Sequence, residues 1–264
     1  MRHWAIAAAA IGLCSPALAV PEGAPDFTGY WQHSPILEYR PVPGKAAPVG
    51  EKSKRAVNPN NVQVLIEGDD TSPLLLSWAA EVVRKRSESR RAGTQIPTQQ
   101  EECRASGVPG VLTLPAPVKF LQLEDKTIIV YQRDHQVRHI RMNAKHAENA
   151  PLTWYGDSVG HYEGDTLVID TVALKGQSGV DIFGTPHSEA IHVVERYTLA
   201  DSGKKLEARI DVEDPGAFTT PWSGVMVYDR SNAPMLIEEI CAENNYDVVA
   251  KKPYDIPTAE KPDF

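Results

Sequence analysis

From Val118 onward, apolar and polar positions alternate in short runs separated by turn-forming residues, the signature of successive β-strands. The alternation predicts strands near 118–123, 127–132, 137–142, 154–162, 166–173, 190–199, 204–213, 223–229 and 235–242, joined mostly by tight turns such as LEDK, RDHQ, YEGD and ADSGKK. The plainest is 204–213, where Leu206, Ala208, Ile210 and Val212 alternate with Lys205, Glu207, Arg209, Asp211 and Glu213, giving one dry and one wet face. Sequential strands joined by short turns make an antiparallel meander. A meander of about eight or nine strands leaves exposed edges unless it closes, so the predicted fold is mainly β, a meander closed into a barrel, with a β-sandwich as the competing architecture.

The first part of the chain reads differently. Residues 35–61 are Pro-rich and polar, an extended arm or a loop over a surface. One helix follows, with Ser72 as its cap, Pro73 in the first turn, an apolar stripe of Leu74, Leu75, Trp78, Ala79, Val82 and Val83, and Gly93 as its stop. The basic residues Arg84, Lys85, Arg86, Arg90 and Arg91 suit the dipole at its C-terminal end. The expected organisation is a signal peptide over 1–19, an N-terminal strand, arm and helix packed on the barrel over 20–110, the barrel over 111–245, and an extended tail over 246–264.

The signal peptide rests on the basic start Met1-Arg2-His3, a short apolar run, and Ala17 and Ala19 before the cut, and it predicts a periplasmic or secreted protein released near Ala19. The run is too short to serve as a stable membrane anchor. Losing Arg2 leaves 26 of 27 basic residues against 35 acidic ones, taking the net charge from −8 to −9. Such a surface repels nucleic acid and anionic lipid, so neither is an expected partner. Maturation also removes Cys14 and leaves Cys103 and Cys241, an even pair most simply joined as a disulfide in an oxidising compartment, two free thiols being the alternative.

The segment DFTGYW places Gly29 and Trp31 in a G-x-W arrangement that resembles the opening strand of lipocalin-like barrels, whose tryptophan packs across the barrel floor. The phrases LTWYGDSVGHYEGDTLVIDTV, GTPHSEAIHVVERY, VEDPGAFTTPW and EEICAENN resemble a family of uncharacterised exported bacterial proteins, recognisable by EGDTLV-x-DT, PHS-x-x-x-HVVER, EDP-x-x-x-T-x-PW and C-x-ENN. The resemblance covers roughly residues 100–247 and implies no activity. This chain departs from the family pattern at Asp157, often a histidine, and at Leu174, often an aromatic residue.

Chemistry concentrates in GTPHSEAIHVVERY. His187 sits in a loop, and on the strand that follows His192, Val194, Arg196 and Thr198 share one face while Ile191, Val193, Glu195 and Tyr197 share the other. Neither face is cleanly apolar, and a slip of one residue exchanges His192 and Glu195 as the inward group. The partner strand offers Asp170 to orient an imidazole. The catalytic candidates are therefore His187, His192, Asp170, Glu195 and Arg196, and the substrate-binding candidates are Trp154, Tyr155, Ser158, His161 and Trp222. Three readings compete: cofactor-free acid–base catalysis (lyase, isomerase or hydrolase) on a small hydrophobic or aromatic compound, with Arg196 or Tyr155 steadying an oxyanion; metal binding by His187, His192 and Glu195; and a structural role in charge pairs and turns. A non-catalytic carrier of a small hydrophobic ligand is the alternative to an enzyme. The first reading is the expected one, with no cofactor, since neither a Gly-rich phosphate loop nor a G-x-S-x-G elbow occurs.

Overall fold

The structure, a computed structural model, describes residues 20–35, 38–52, 67–92, 94, 96–97, 99, 102–232 and 235–241, with the backbone of 246–247 and 252–253. The signal segment 1–19, the 53–61 part of the Pro-rich arm, Gly93 and most of the C-terminal tail lie outside the described residues.

Alternation produces the predicted wall. Strands β1 (Gly29–His33), β2 (Arg40–Pro41), β3 (Val118–Gln122), β4 (Lys126–Tyr131), β5 (Val137–Met142), β6 (Asp157–Glu163), β7 (Thr166–Val172), β8 (His192–Ala200), β9 (Lys205–Glu213) and β10 (Trp222–Ser231) form one sheet. It runs β1-β3-β4-β5-β6-β7-β8-β9-β10 and closes because β10 also pairs with β1, while β2 hangs on the start of β10. The result is a closed nine-strand barrel of the lipocalin-like kind. Leu206, Ala208, Ile210 and Val212 of β9 all face its core, as the alternation required.

Three features differ from the expected meander. Of the strand expected at 235–242, none forms among the described residues 235–241: the ninth stave is β1, which pairs Tyr30 with Ser231 on one side and with Lys119 on the other. With both barrel edges taken, 235–241 runs outside the wall, held where Arg133 meets Glu239 at 2.8 Å and the Cys241 N–H donates to Asp134 at 2.7 Å. One pair, β5 with β6, is parallel, since residues 143–156 cross over before β6 begins. The helix α1 (Ser77–Arg91) starts five residues later than Ser72 because 74–76 pair with the 217–219 segment: Leu76 N–H donates to Ala217 O, and Thr219 N–H to Leu74 O. It buries Ala79, Val83 and Ser87 and leaves Trp78 44 % exposed. In the tail, Tyr246–Asp247 pairs antiparallel with Lys252–Pro253.

The G-x-W strand closes one end. Trp31 is fully buried, its Nε1 donates to Phe27 O at 2.9 Å, and the Arg230 guanidinium lies 4.2 Å from its ring centroid. The other end is shut by the 107–113 and 176–188 loops, packed backbone to backbone. A Cβ on Gly110 would stand 2.2 Å from the Gly179 carbonyl oxygen. Gly110→Ala must therefore push the loops apart, and urea denaturation should show a loss of about 1–3 kcal/mol.

Candidate functional site

Register decides the open question of β8. Ile169 lies opposite Glu195 and Asp170 opposite Val194, so Val193, Glu195 and Tyr197 face the barrel core with Ile169 and Thr171, whereas His192, Val194 and Arg196 face outward with Asp170.

Inside, Glu195 meets a residue not foreseen, Arg138 of β5, with Nη2 to Oε2 at 2.5 Å and Nη1 to Oε1 at 3.1 Å, both side chains at most 1 % exposed. Arg138 Nε donates to Ser158 Oγ at 3.1 Å and its Nη2 to Thr171 Oγ1 at 2.8 Å, while the Tyr197 hydroxyl donates to Glu195 at 2.7 Å. Burial alone would lower the guanidinium pKa, but the adjacent Glu195 carboxylate more than reverses it. Tyr131 and Tyr155 stack beside this group with centroids 5.6 Å apart, and burial lifts the Tyr131 hydroxyl to about 12. The gap left among Leu112, Phe120, Tyr131, Tyr197 and Tyr228 is too narrow for a water molecule. Of the ionisable candidates on β7 and β8, only Glu195 faces the interior; Asp170, His192 and Arg196 lie on the outer wall.

The remaining candidates separate. His187 is buried in its loop, with Nδ1 2.7 Å from Ser188 O and Nε2 2.6 Å from Ser178 Oγ. The first contact makes Nδ1 the donor, so Nε2 accepts the serine proton. That is a nucleophile–base geometry, but Ser178 is 3 % exposed and both residues belong to the 176–188 loop, so the pair braces that loop where it packs on Gly107, whose added Cβ would lie 2.8 Å from the serine Oγ. Burial lowers the His187 pKa. Trp154 accepts from Val108 N–H through its carbonyl and lies under the Lys175 ammonium at 5.4 Å. The Tyr155 hydroxyl donates to Gln136, His161 meets Glu163 at 3.0 Å on the outside, and Trp222 is buried against Tyr39 and Phe218. His187, His192 and Glu195 sit in three separate environments, so they do not form the trio that the metal reading needs. Among the described residues no group of three or more His, Cys, Asp or Glu is arranged to hold a metal ion.

Convergence occurs on the outer wall. His192 Nε2 lies 2.7 Å from Asp170 Oδ1, and His146 of the crossover loop brings its Nε2 to the same oxygen at 3.1 Å and its Nδ1 to Asp157 at 3.1 Å. Asp157 also takes the Ala147 N–H at 2.9 Å and an Arg141 guanidinium at 2.7 Å, which pins the loop to the barrel. His146 was not foreseen, because a loop residue carries no periodic signal. The Asp170 hydrogen bond raises the His192 pKa against the opposing effect of burial, and the His192 hydrogen bond lowers Asp170.

His192 stands at the rim of an outer groove of about 640 Å³ over β8, β9 and the start of β10, overhung by residues 44–46. Arg196 and Arg209 share one carboxylate there, Asp211, at 3.2 and 3.0 Å, and Ser223 Oγ donates to the same group at 2.5 Å. Burial would raise Asp211, but the Ser223 hydroxyl and the guanidiniums outweigh it and hold the carboxyl below its usual range. A half-exposed imidazole oriented by a carboxylate, with two guanidiniums on the same face, can move a proton and steady negative charge.

No protein-family model matches the chain, and no curated protein matches it.

Proposed function

We propose that this is an exported acid–base catalyst working without a cofactor, of the lyase, isomerase or hydrolase kind, that holds a small molecule with an apolar or aromatic body in the outer groove. His192 transfers the proton, Asp170 is its positioning residue, and Arg196 steadies developing negative charge. The observation that carries this reading is the 2.7 Å His192–Asp170 contact at the rim of the groove. With Nε2 engaged, Nδ1 is the ring nitrogen left to meet a substrate.

The test is turnover of a panel of small aromatic esters, β-hydroxy acids and enolisable ketones by the wild type, His192→Gln and Asp170→Asn. We expect one activity to fall by about 10²–10⁴-fold in His192→Gln, with the melting temperature nearly unchanged because the side chain is 40 % exposed. His192 is raised above the ordinary histidine value by Asp170, so its neutral, basic form accumulates only as pH climbs past that raised value. The kcat/KM profile should therefore rise through an inflection above about 6.5, and Asp170→Asn should move the inflection downward. The same linkage makes the stabilisation from this pair full below about 6.5 and fading as pH rises through the folded-state value. Full activity in His192→Gln, or an inflection that stays put in Asp170→Asn, would sink the reading.

A further inference from the structure

The groove holds more cation than its own acids balance. Lys45, Arg196 and Arg209 face Asp211 and Glu213, an excess of one positive charge before His192 is counted, on a chain whose net charge is −8. Both arginines lean on the single Asp211 carboxylate, whose Oδ1 also accepts from Ser223.

Donor accounting adds an independent observation. Arg209 Nε, on the outer face that lines the groove, is buried with no acceptor among the described residues. A buried donor left unmade costs about 1–3 kcal/mol. What this donor lacks is acceptor oxygen.

An apolar strip of Ala46, Val194 and Pro221 lies beside these charges in the lining. Planar guanidiniums match the two oxygens of a carboxylate, and the apolar strip matches a flat hydrocarbon body.

We infer that the outer groove is a binding site for a small aromatic or aliphatic carboxylate, whose oxygens are taken by the Arg196 and Arg209 guanidiniums and whose body lies on the Ala46–Val194–Pro221 strip. This rests on the groove being the working site and names the substrate class for it. The carboxylate would supply the second counter-charge that the arginine pair lacks, and His192, on the same strand face two residues from Val194, would stand beside the bound molecule.

Benzoate is the probe, compared by calorimetric titration with benzamide, which keeps the ring and drops the charge, and with acetate, which keeps the charge and drops the ring. Benzoate should bind at least about tenfold more tightly than either, and the affinity should fall with added salt. Arg209→Gln and Arg196→Gln should each weaken benzoate about tenfold or more, the worth of a charge-assisted contact. Arg209→Lys, which keeps the charge without the fork, should recover only part of this loss. His192→Gln should keep benzoate affinity within about threefold, the level of context-dependent change, so a failure of the catalytic reading leaves this result intact. Equal binding of benzoate and benzamide, absence of benzoate binding at millimolar concentration, or benzoate affinity untouched in both arginine variants would each overturn the assignment.

Discussion

Glu195→Gln is expected to lower the unfolding free energy by about 3–5 kcal/mol, read as a shifted urea midpoint at pH 7. The carboxylate is fully buried and faces a guanidinium that is itself 1 % exposed. Removing the negative charge leaves Arg138 as a buried cation held only by hydroxyls and an amide, and water cannot reach it in a packed barrel. Natural domains of this size are stable by about 5–15 kcal/mol, so one such loss takes a large fraction of the whole. Arg138→Met should cost a similar amount for the mirror reason. The double variant should be more stable than the sum of the two losses predicts, because neither charge is then left alone. Additive losses, or a Glu195→Gln midpoint equal to the wild type, would show that this pair is not what organises the interior.

The second large effect is expected at the disulfide. Cys103 and Cys241 are joined across 138 positions with their Cα atoms 5.4 Å apart, which bears out the pairing expected from an even cysteine count. Closing a loop of that length removes so much freedom from the unfolded chain that about 4–5 kcal/mol is at stake in the chain-entropy account. Cys103→Ser, or reduction of the wild type with dithiothreitol, should lower the thermal midpoint by many degrees, and the two treatments should agree. The bond also secures the 235–241 segment, which otherwise touches the wall through contacts such as Arg133–Glu239 and His135–Ile237 O at 3.1 Å. Protease cleavage near residue 237 should therefore accelerate after reduction. A reduced protein with an unaltered midpoint would count against the bond as a staple.

The barrel was legible because strand alternation is a local property, and β3 to β10 each carry it within their own few residues. The ninth stave was harder to read. Residues 235–242 show the same alternation as a strand, but a strand needs a free neighbour, and β1 had taken the seam; Met235 and Ile237 are each 65 % exposed as a result. The G-x-W segment pointed to β1, although nothing local states that it pairs with β10 as well as β3. Orientation of β8 could not be read from β8 itself, since both of its faces carry charge. Arg138 settles it from another strand: Arg138, Ile140 and Met142 share parity in β5, and an arginine on the apolar face of one strand asks for a carboxylate on the apolar face of another. His146 and the groove escaped notice for a different reason. They depend on how a crossover loop and residues 44–46 lie over the outer wall, which periodicity does not encode.

The seam closed by β1 has a consequence for how the chain comes to exist. Arg230 donates to the Thr28 carbonyl across 202 positions, so the first stave made is the last to find its second neighbour. A chain emerging from its N-terminus carries that ribbon with one edge unpaired until almost the whole wall has been synthesised, and products stopped before β10 would present sticky flanks on both sides of the gap. Such a molecule has no useful partly built form; it matures late and all at once.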